Sequence, residues 1–157
     1  MRGSAAAAPM GGPSGNAAPP AAHHEIHERP TMIDVPVSWG ELIDKITILE
    51  IKSVRIDDPV KQANVARELA LLGDRLASIP LPPAVVGLTA ELKAVNLALW
   101  EIEDEIRDCE RAGDFGPRFV DLARSVYRTN DRRAALKKDI NSALGSAIVE
   151  EKSYAAY

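Results

Sequence analysis

The sequence predicts an all-α protein, a four-helix antiparallel bundle in which a long third helix and a long fourth helix form a hairpin. Three observations lead to this prediction. Apolar residues recur at alternating steps of three and four along most of the chain, which is the spacing of one helix face. Prolines and glycines interrupt the pattern and divide it into four segments. One short run has the alternating period of a strand, but it has no partner run with which to form a sheet.

The chain is predicted to consist of a disordered leader, residues 1–31, and a single helical domain, residues 32–157. Ala, Gly, Pro and Ser make up most of the leader, and such a segment cannot bury enough apolar surface to fold. The domain is long enough for a core of its own. Its first apolar residues, Ile33, Val35 and Val37, occupy alternate positions, and we expect them to form an extended arm that packs on the bundle.

The first two helices are predicted from their start signals. Ser38 precedes Glu41 by three residues, which is the spacing of a capping box, so the first helix begins there and continues to about Ile56. Its wide apolar arc indicates contact with more than one neighbour, and we expect it to be the central helix. Asp58 and Pro59 predict the start of the second helix, because aspartate caps a helix and proline suits its first position. The predicted buried face of the second helix comprises Val65, Leu69, Leu72, Leu76 and Ile79.

Proline and glycine also bound the third and fourth helices. The third helix is predicted to run from Pro83 or Thr89 to Arg111, and the fourth from the turn at Pro117 to about Leu144. The third is rich in acids and the fourth in bases, so the short turn between them sets an acidic strip beside a basic one. Exposed ion pairs of this kind stabilise a protein by only about 0 to 1 kcal/mol each.

The apolar stripe of the fourth helix contains a cation where an apolar residue is expected. The stripe consists of Phe119, Leu122, Val126, Arg133, Leu136 and Ile140. Arg133 lies seven residues from Val126 and from Ile140, so its α-carbon faces the core, and Asn130 lies one turn earlier on the same side. Burying an arginine is unfavourable unless a carboxylate pairs with it.

Three interpretations of this interruption remain open. In the first, Arg133 pairs with a carboxylate, either Asp44 or Glu50 of the first helix or Glu103 of the third, and fixes the register of the helices. In the second, a polar cluster binds a small anion, because guanidinium groups suit phosphate and carboxylate. That candidate cluster comprises Lys45, Glu50, Glu103, Arg124, Tyr127, Asn130 and Arg133. In the third, the Arg133 side chain extends to solvent.

Composition excludes several classes of function. The net charge of −4 gives no general attraction to nucleic acid or to an anionic membrane, and aromatic residues, at 4%, are too few for a base-stacking surface. No apolar run approaches the length needed to span a bilayer. The single cysteine, Cys109, excludes an internal disulfide framework and fits a reducing compartment, so we expect a cytoplasmic protein. No metal site, cofactor or catalytic residue is predicted.

Four motifs of the chain resemble a known family. They lie at residues 40–52, 99–107, 123–133 and 150–154, and together they are similar to small bacterial proteins classed as domain of unknown function 6165. The resemblance covers residues 33–157 and implies no known activity. Related segments that occur beside glycosyltransferase-like regions imply a link with surface-glycan metabolism.

Two classes of function follow for the domain. The first is a non-enzymatic helical interaction or scaffold domain, with a second copy of the chain or another protein as partner. The alternative is a small-anion-binding bundle with enzymatic activity at its Arg, Lys and Glu cluster, because electrostatic placement of such groups around an anion can itself be catalytic. The first class predicts exposed apolar surface, and the second predicts a concave pocket that binds anions.

Overall fold

The computed structural model describes residues 32–153, which form four α-helices joined by short connections. Helix α1 spans Trp39–Arg55, α2 spans Pro59–Leu76, α3 spans Pro83–Ala112 and α4 spans Pro117–Ala143. These residues contain no strand, so the all-α prediction is confirmed, as is the hairpin of long third and fourth helices. The predicted leader, residues 1–31, lies outside the described residues.

The helix ends follow the predicted start and stop signals, with two differences. One is that α2 ends at Leu76, so Ile79, which was predicted on its buried face, lies beyond the helix. The Ser38 hydroxyl accepts a hydrogen bond from the Glu41 amide at 3.2 Å, and the Asp58 carboxylate accepts one from the Lys61 amide at 2.9 Å. Gly113, which ends α3, has a φ of 66°, a left-handed conformation that favours glycine. The Glu41 side chain was expected to complete a capping box, but it forms an ion pair with Lys137 of α4 instead.

Helix α1 is central, as predicted, because it contacts each of the other three helices. It runs parallel to α3, as the successive pairs Glu50–Lys93 and Arg55–Glu101 show. Helix α4 runs antiparallel to α1, since its last turns contact the first turns of α1. Helix α2 packs only on α1 among the described helices, and it buries Val65 and half-buries Leu69, Leu72 and Leu76 of its predicted apolar face.

The core lies where α1, α3 and α4 meet. Its fully buried side chains are Ile43, Val85, Leu92, Leu136 and Ile140. Leu76 of α2 and Leu81, which follows α2, pack against this core from outside the three helices. The predicted packing of the extended arm is wrong for the residues that directly precede α1. Val35 is 63% exposed and Val37 is 51% exposed. The helices belong to one compact unit that begins at Val35, and residues 32–34, which precede this unit, are exposed.

The hairpin of α3 and α4 continues beyond the end of α1. Helix α1 has 17 residues, whereas α3 has 30 and α4 has 27. Because Arg55, the last residue of α1, pairs with Glu101, the rest of α3 continues for about 17 Å past α1, at 1.5 Å per residue. We call residues 102–128, which comprise the end of α3, the turn and the start of α4, the distal hairpin. None of the described helices combines the length and the apolar character needed to cross a bilayer.

Candidate functional site

Arg133, which interrupts the α4 stripe, forms an ion pair with Asp44 of α1. Arg133 donates two hydrogen bonds to the Asp44 carboxylate of α1, from Nε to Oδ1 at 2.9 Å and from Nη2 to Oδ2 at 2.5 Å. The Asp44 side chain is 2% exposed and the Arg133 side chain is 28% exposed. The hydrogen bond to Asp44 raises the pKa of Arg133 above its usual value. The predicted pairing of Arg133 with a core carboxylate is therefore confirmed, and Asp44 is the partner.

A buried amide and a hydroxyl complete this pair. Asn96 of α3 donates from Nδ2 to Asp44 Oδ1 at 2.8 Å and to Thr47 Oγ1 at 2.9 Å. The Thr47 hydroxyl in turn donates to the backbone carbonyl of Asp44 at 2.8 Å. Every buried side-chain nitrogen and oxygen of the described residues has a hydrogen-bond partner. The network thus links all three helices of the core without an unpaired polar atom.

A cleft opens beside this network, at the boundary between the core and the distal hairpin. Its volume is about 460 Å³, which lies within the range of about 300 to 1,000 Å³ that is usual for small-molecule sites. The lining residues are Ile48, Asn96, Leu99, Trp100, Glu103, Asp104, Arg107, Asn130 and Arg133. The cleft therefore combines an apolar surface, two carboxylates, two guanidinium groups and two amides.

The structure brings together three of the seven residues of the predicted anion cluster. Glu103, Asn130 and Arg133 all line the cleft. The other four lie outside its lining: Lys45 pairs with Glu68 of α2 at 2.7 Å, Glu50 with Lys93 at 2.7 Å, Arg124 with Asp121 at 3.8 Å, and Tyr127 lies beside Arg128. The cluster is divided because spacing along a helix does not determine which neighbouring helix a side chain faces.

Two of the residues that complete the site were not among the predicted cluster. Asn96 and Trp100 are in the cleft lining, and Asn96 also binds Asp44. A signal for Asn96 was present in the sequence, because it lies four residues after Leu92 and three before Leu99, on the buried face of α3. It interrupts that face as Arg133 interrupts the face of α4. For Trp100 no comparable signal exists.

A second polar cluster joins the start of α1 to the segment that follows α4. Lys137, whose side chain is 10% exposed, pairs with Glu41 at 2.6 Å and with Glu150 at 2.5 Å. Burial lowers the pKa of the Lys137 ammonium, but the hydrogen bonds to Glu150 and Glu41 outweigh burial and leave the pKa raised. The same bond to Lys137 lowers the pKa of Glu150. Lys137 therefore holds the chain after α4 against the bundle.

The start of α1 approaches α4 unusually closely in this cluster. The Gly40 amide donates to Asn141 Oδ1 at 2.6 Å, and a Cβ atom at Gly40 would lie 2.5 Å from the carbonyl oxygen of Lys137. Such a distance is too short for a carbon beside an oxygen, so only glycine fits here without displacement of α4.

Neither polar cluster contains a set of metal ligands. Among residues 32–153, no group of three or more His, Cys, Asp and Glu side chains is arranged to hold a metal ion. Cys109 is a buried thiol in the apolar stripe of α3. The chemistry that these residues offer is therefore hydrogen bonding and charge pairing.

Comparison with known proteins identifies a family for this chain. The model of a protein family described as a family of unknown function, DUF6165, matches residues 33–157, which is the stretch over which the sequence motifs indicated this family. The match includes all four helices and every residue of the cleft. No curated protein and no solved structure matches the chain.

Proposed function

This chain belongs to DUF6165, a family of unknown function, and we propose that it is a non-enzymatic helical interaction domain whose distal hairpin binds a second copy of the chain. The observation that carries this proposal is a change in burial along one stripe. Where α1 covers the hairpin, Leu92 of α3 and Leu136 and Ile140 of α4 are 0% exposed. Beyond the end of α1, Cys109 stays buried, but the stripe residues Ile102, Ile106, Phe119 and Leu122 are only half-buried.

The difference follows from the number of neighbouring helices. In a two-helix hairpin each helix buries only the strip that faces its partner, so the flanks of the apolar stripe stay in water. Val120, which is 42% exposed, and Phe115, which is 57% exposed, add to this apolar surface. A second hairpin packed on the first would convert the extension into four helices and bury these side chains.

Charge favours a second copy as the occupant. The α3 part of the distal hairpin carries five acids, Glu103, Asp104, Glu105, Asp108 and Glu110, against two arginines. The α4 part carries Arg118, Arg124 and Arg128 against Asp121. Within one copy Arg118 pairs with Glu105 and Arg124 with Asp121. A two-fold axis that sets α3 of one copy beside α4 of the other would place the remaining α3 acids near these arginines twice, because such an interface repeats each contact. One surface then supplies both the apolar and the charged complementarity.

The oligomeric state tests this proposal directly. We expect sedimentation velocity to show a concentration-dependent dimer for the wild type and a monomer for Ile106→Glu, because a carboxylate on the stripe opposes burial. Val86→Glu is the matched control, since Val86 lies on the same helix outside the distal hairpin and is 55% exposed. Circular dichroism should show unchanged helix content in both variants. A wild type that stays monomeric up to about 1 mM, which is the weakest specific affinity worth considering, would overturn the proposal.

A small-anion site is the second candidate function, with phosphate or a carboxylate as ligand. Its support is that Arg107 and Arg133 line one cleft with Asn130. Both guanidinium groups already pair with carboxylates, Arg107 with Glu103 at 2.9 Å and Arg133 with Asp44, so the interaction domain is favoured. A rise in melting temperature with phosphate, nucleotides or nucleotide sugars would favour the anion site, because a ligand of the native state stabilises it by mass action.

We propose a cytoplasmic location for this interaction domain. The support is the single cysteine, Cys109, which is buried as a thiol and fits a reducing compartment. The link with bacterial surface-glycan metabolism remains a prediction from the resemblance. Co-purification of the wild type, but not of Ile106→Glu, with an enzyme of glycan assembly would support that link.

A further inference from the structure

We propose that the cleft beside Arg133 binds a small zwitterion, a molecule of the α-amino acid class that carries one carboxylate and one ammonium group. The proposal rests on the cleft, whose lining belongs to a single copy of the chain. Glu103 and Asp104 lie both in the cleft and in the distal hairpin, so the test below includes a variant that does not self-associate. It differs from the anion candidate in requiring a cation on the ligand.

The carboxylate end is assigned to the α4 side of the cleft. Asp44 binds the edge of the Arg133 guanidinium formed by Nε and Nη2, which leaves Nη1 for a ligand in the cleft. Because Asp44 holds the guanidinium in one orientation, little conformational entropy is lost when the ligand binds. Asn130 lines the same side and offers amide hydrogens to a carboxylate.

The ammonium end is assigned to the α3 side. Glu103, Asp104 and Trp100 line the cleft there. Glu103 pairs with Arg107, whereas Asp104 takes part in no ion pair among the described residues. A carboxylate beside a tryptophan ring suits an ammonium group, since the ring face also attracts a cation.

The balance of charge in the cleft favours a zwitterion over a simple anion as the ligand. Arg133 is neutralised by Asp44 and Arg107 by Glu103, so the cleft and its supporting network contain one more carboxylate than cation. That carboxylate, Asp104, opposes a ligand that is only negative and favours one with a positive group. The apolar side chains of Ile48 and Leu99 are available to the rest of the ligand.

The test uses three ligands that differ only in their charged groups. Phenylalanine carries both groups, 3-phenylpropanoate only the carboxylate and 2-phenylethylamine only the ammonium. Tryptophan fluorescence reports binding in the Trp39→Phe background, where Trp100 is the remaining tryptophan of the chain. We expect phenylalanine to change the Trp100 emission with a Kd at least tenfold lower than that of either partial ligand. Equal binding of 3-phenylpropanoate overturns the zwitterion in favour of the anion site, and no change with any ligand overturns the site itself.

Substitutions at two exposed acids test the site without disturbing the buried core. Asp104→Asn should raise the Kd for phenylalanine at least fivefold and leave that for 3-phenylpropanoate unchanged or lower. Asp121→Asn is the matched control, because Asp121 is an exposed acid of α4 outside the cleft lining, and should change neither. Equal effects of the two substitutions overturn the assignment of Asp104. The Ile106→Glu variant should bind phenylalanine as the wild type does. This result would separate failure of the ligand site from failure of self-association. Loss of phenylalanine binding in Ile106→Glu would overturn the proposal that one copy of the chain forms the site.

Discussion

Asp44 and Arg133 are 89 positions apart in the sequence, yet the guanidinium of one donates two hydrogen bonds to the carboxylate of the other. The pair ties the first turns of α1 to the middle of α4. Its two members differ in exposure, since Asp44 is 2% exposed and Arg133 is 28% exposed. This asymmetry makes the consequences of removing each partner different.

Removal of Arg133 should destabilise the protein more than removal of the charge on Asp44. In Arg133→Met the buried carboxylate loses its cation, and we expect the free energy of unfolding to fall by about 3 to 5 kcal/mol. In Asp44→Asn the arginine can extend to water, so we expect a loss of about 1 to 3 kcal/mol. Urea unfolding of both variants measures the difference. Equal losses, or a neutral Arg133→Met, would contradict a buried structural pair.

Gly40 and Gly87 should respond to alanine with opposite signs. At Gly40 a Cβ atom would lie 2.5 Å from the Lys137 carbonyl oxygen, so Gly40→Ala must separate α1 from α4 and should lower stability by about 1 to 3 kcal/mol. At Gly87, inside α3, a Cβ atom meets nothing within 4 Å. Gly87→Ala should therefore raise stability by about 0.5 to 1 kcal/mol, because alanine is the better helix former. Thermal unfolding of the two variants decides; a stabilising Gly40→Ala would show that α1 and α4 are not in close contact.

The contribution of Glu150 to stability should depend on pH. The hydrogen bond from Lys137 lowers the pKa of Glu150 in the folded protein, so the pair stabilises the fold above the ordinary glutamate pKa of about 4.3 and loses its effect as pH falls through the lowered value. We therefore expect Glu150→Gln to be less stable than the wild type at pH 7 and equal to it near pH 2. Denaturant unfolding across this range, with Glu151→Gln as the control at the neighbouring exposed acid, measures the difference. A gap that persists in acid would show that charge is not the cause.

Salt should weaken self-association of the distal hairpin. The proposed interface sets the acids of α3 against the arginines of α4, and such exposed pairs are screened as ionic strength rises. We expect the dimer dissociation constant from sedimentation to increase severalfold between about 0.05 and 0.5 M NaCl. An interface held by apolar contact alone would keep or gain affinity over this range, and that outcome would argue against the matched charges.

Much of the fold was predictable because its signals are local. The start of α1 at Ser38, the start of α2 at Pro59 and the end of α3 at Gly113 depend on a few neighbouring residues, and each is present in the structure. The arm was not predictable, since alternation at Val35 and Val37 indicates an extended chain but not whether a surface is left for it to cover.

The candidate site, like the fold, was predictable only in part. Spacing along α4 alone determined that Arg133 faces the core and that Asn130 lies beside it, because a helix sets the direction of each side chain relative to its neighbours. Only the tertiary structure decided that Asp44, and not Glu50 or Glu103, is the partner, and that Lys45 and Arg124 lie elsewhere. The physical reason is that a contact between helices depends on how they are rotated and shifted against one another. Those quantities come from the packing of the whole core around Ile43, Leu92 and Leu136, which no single stretch of sequence contains.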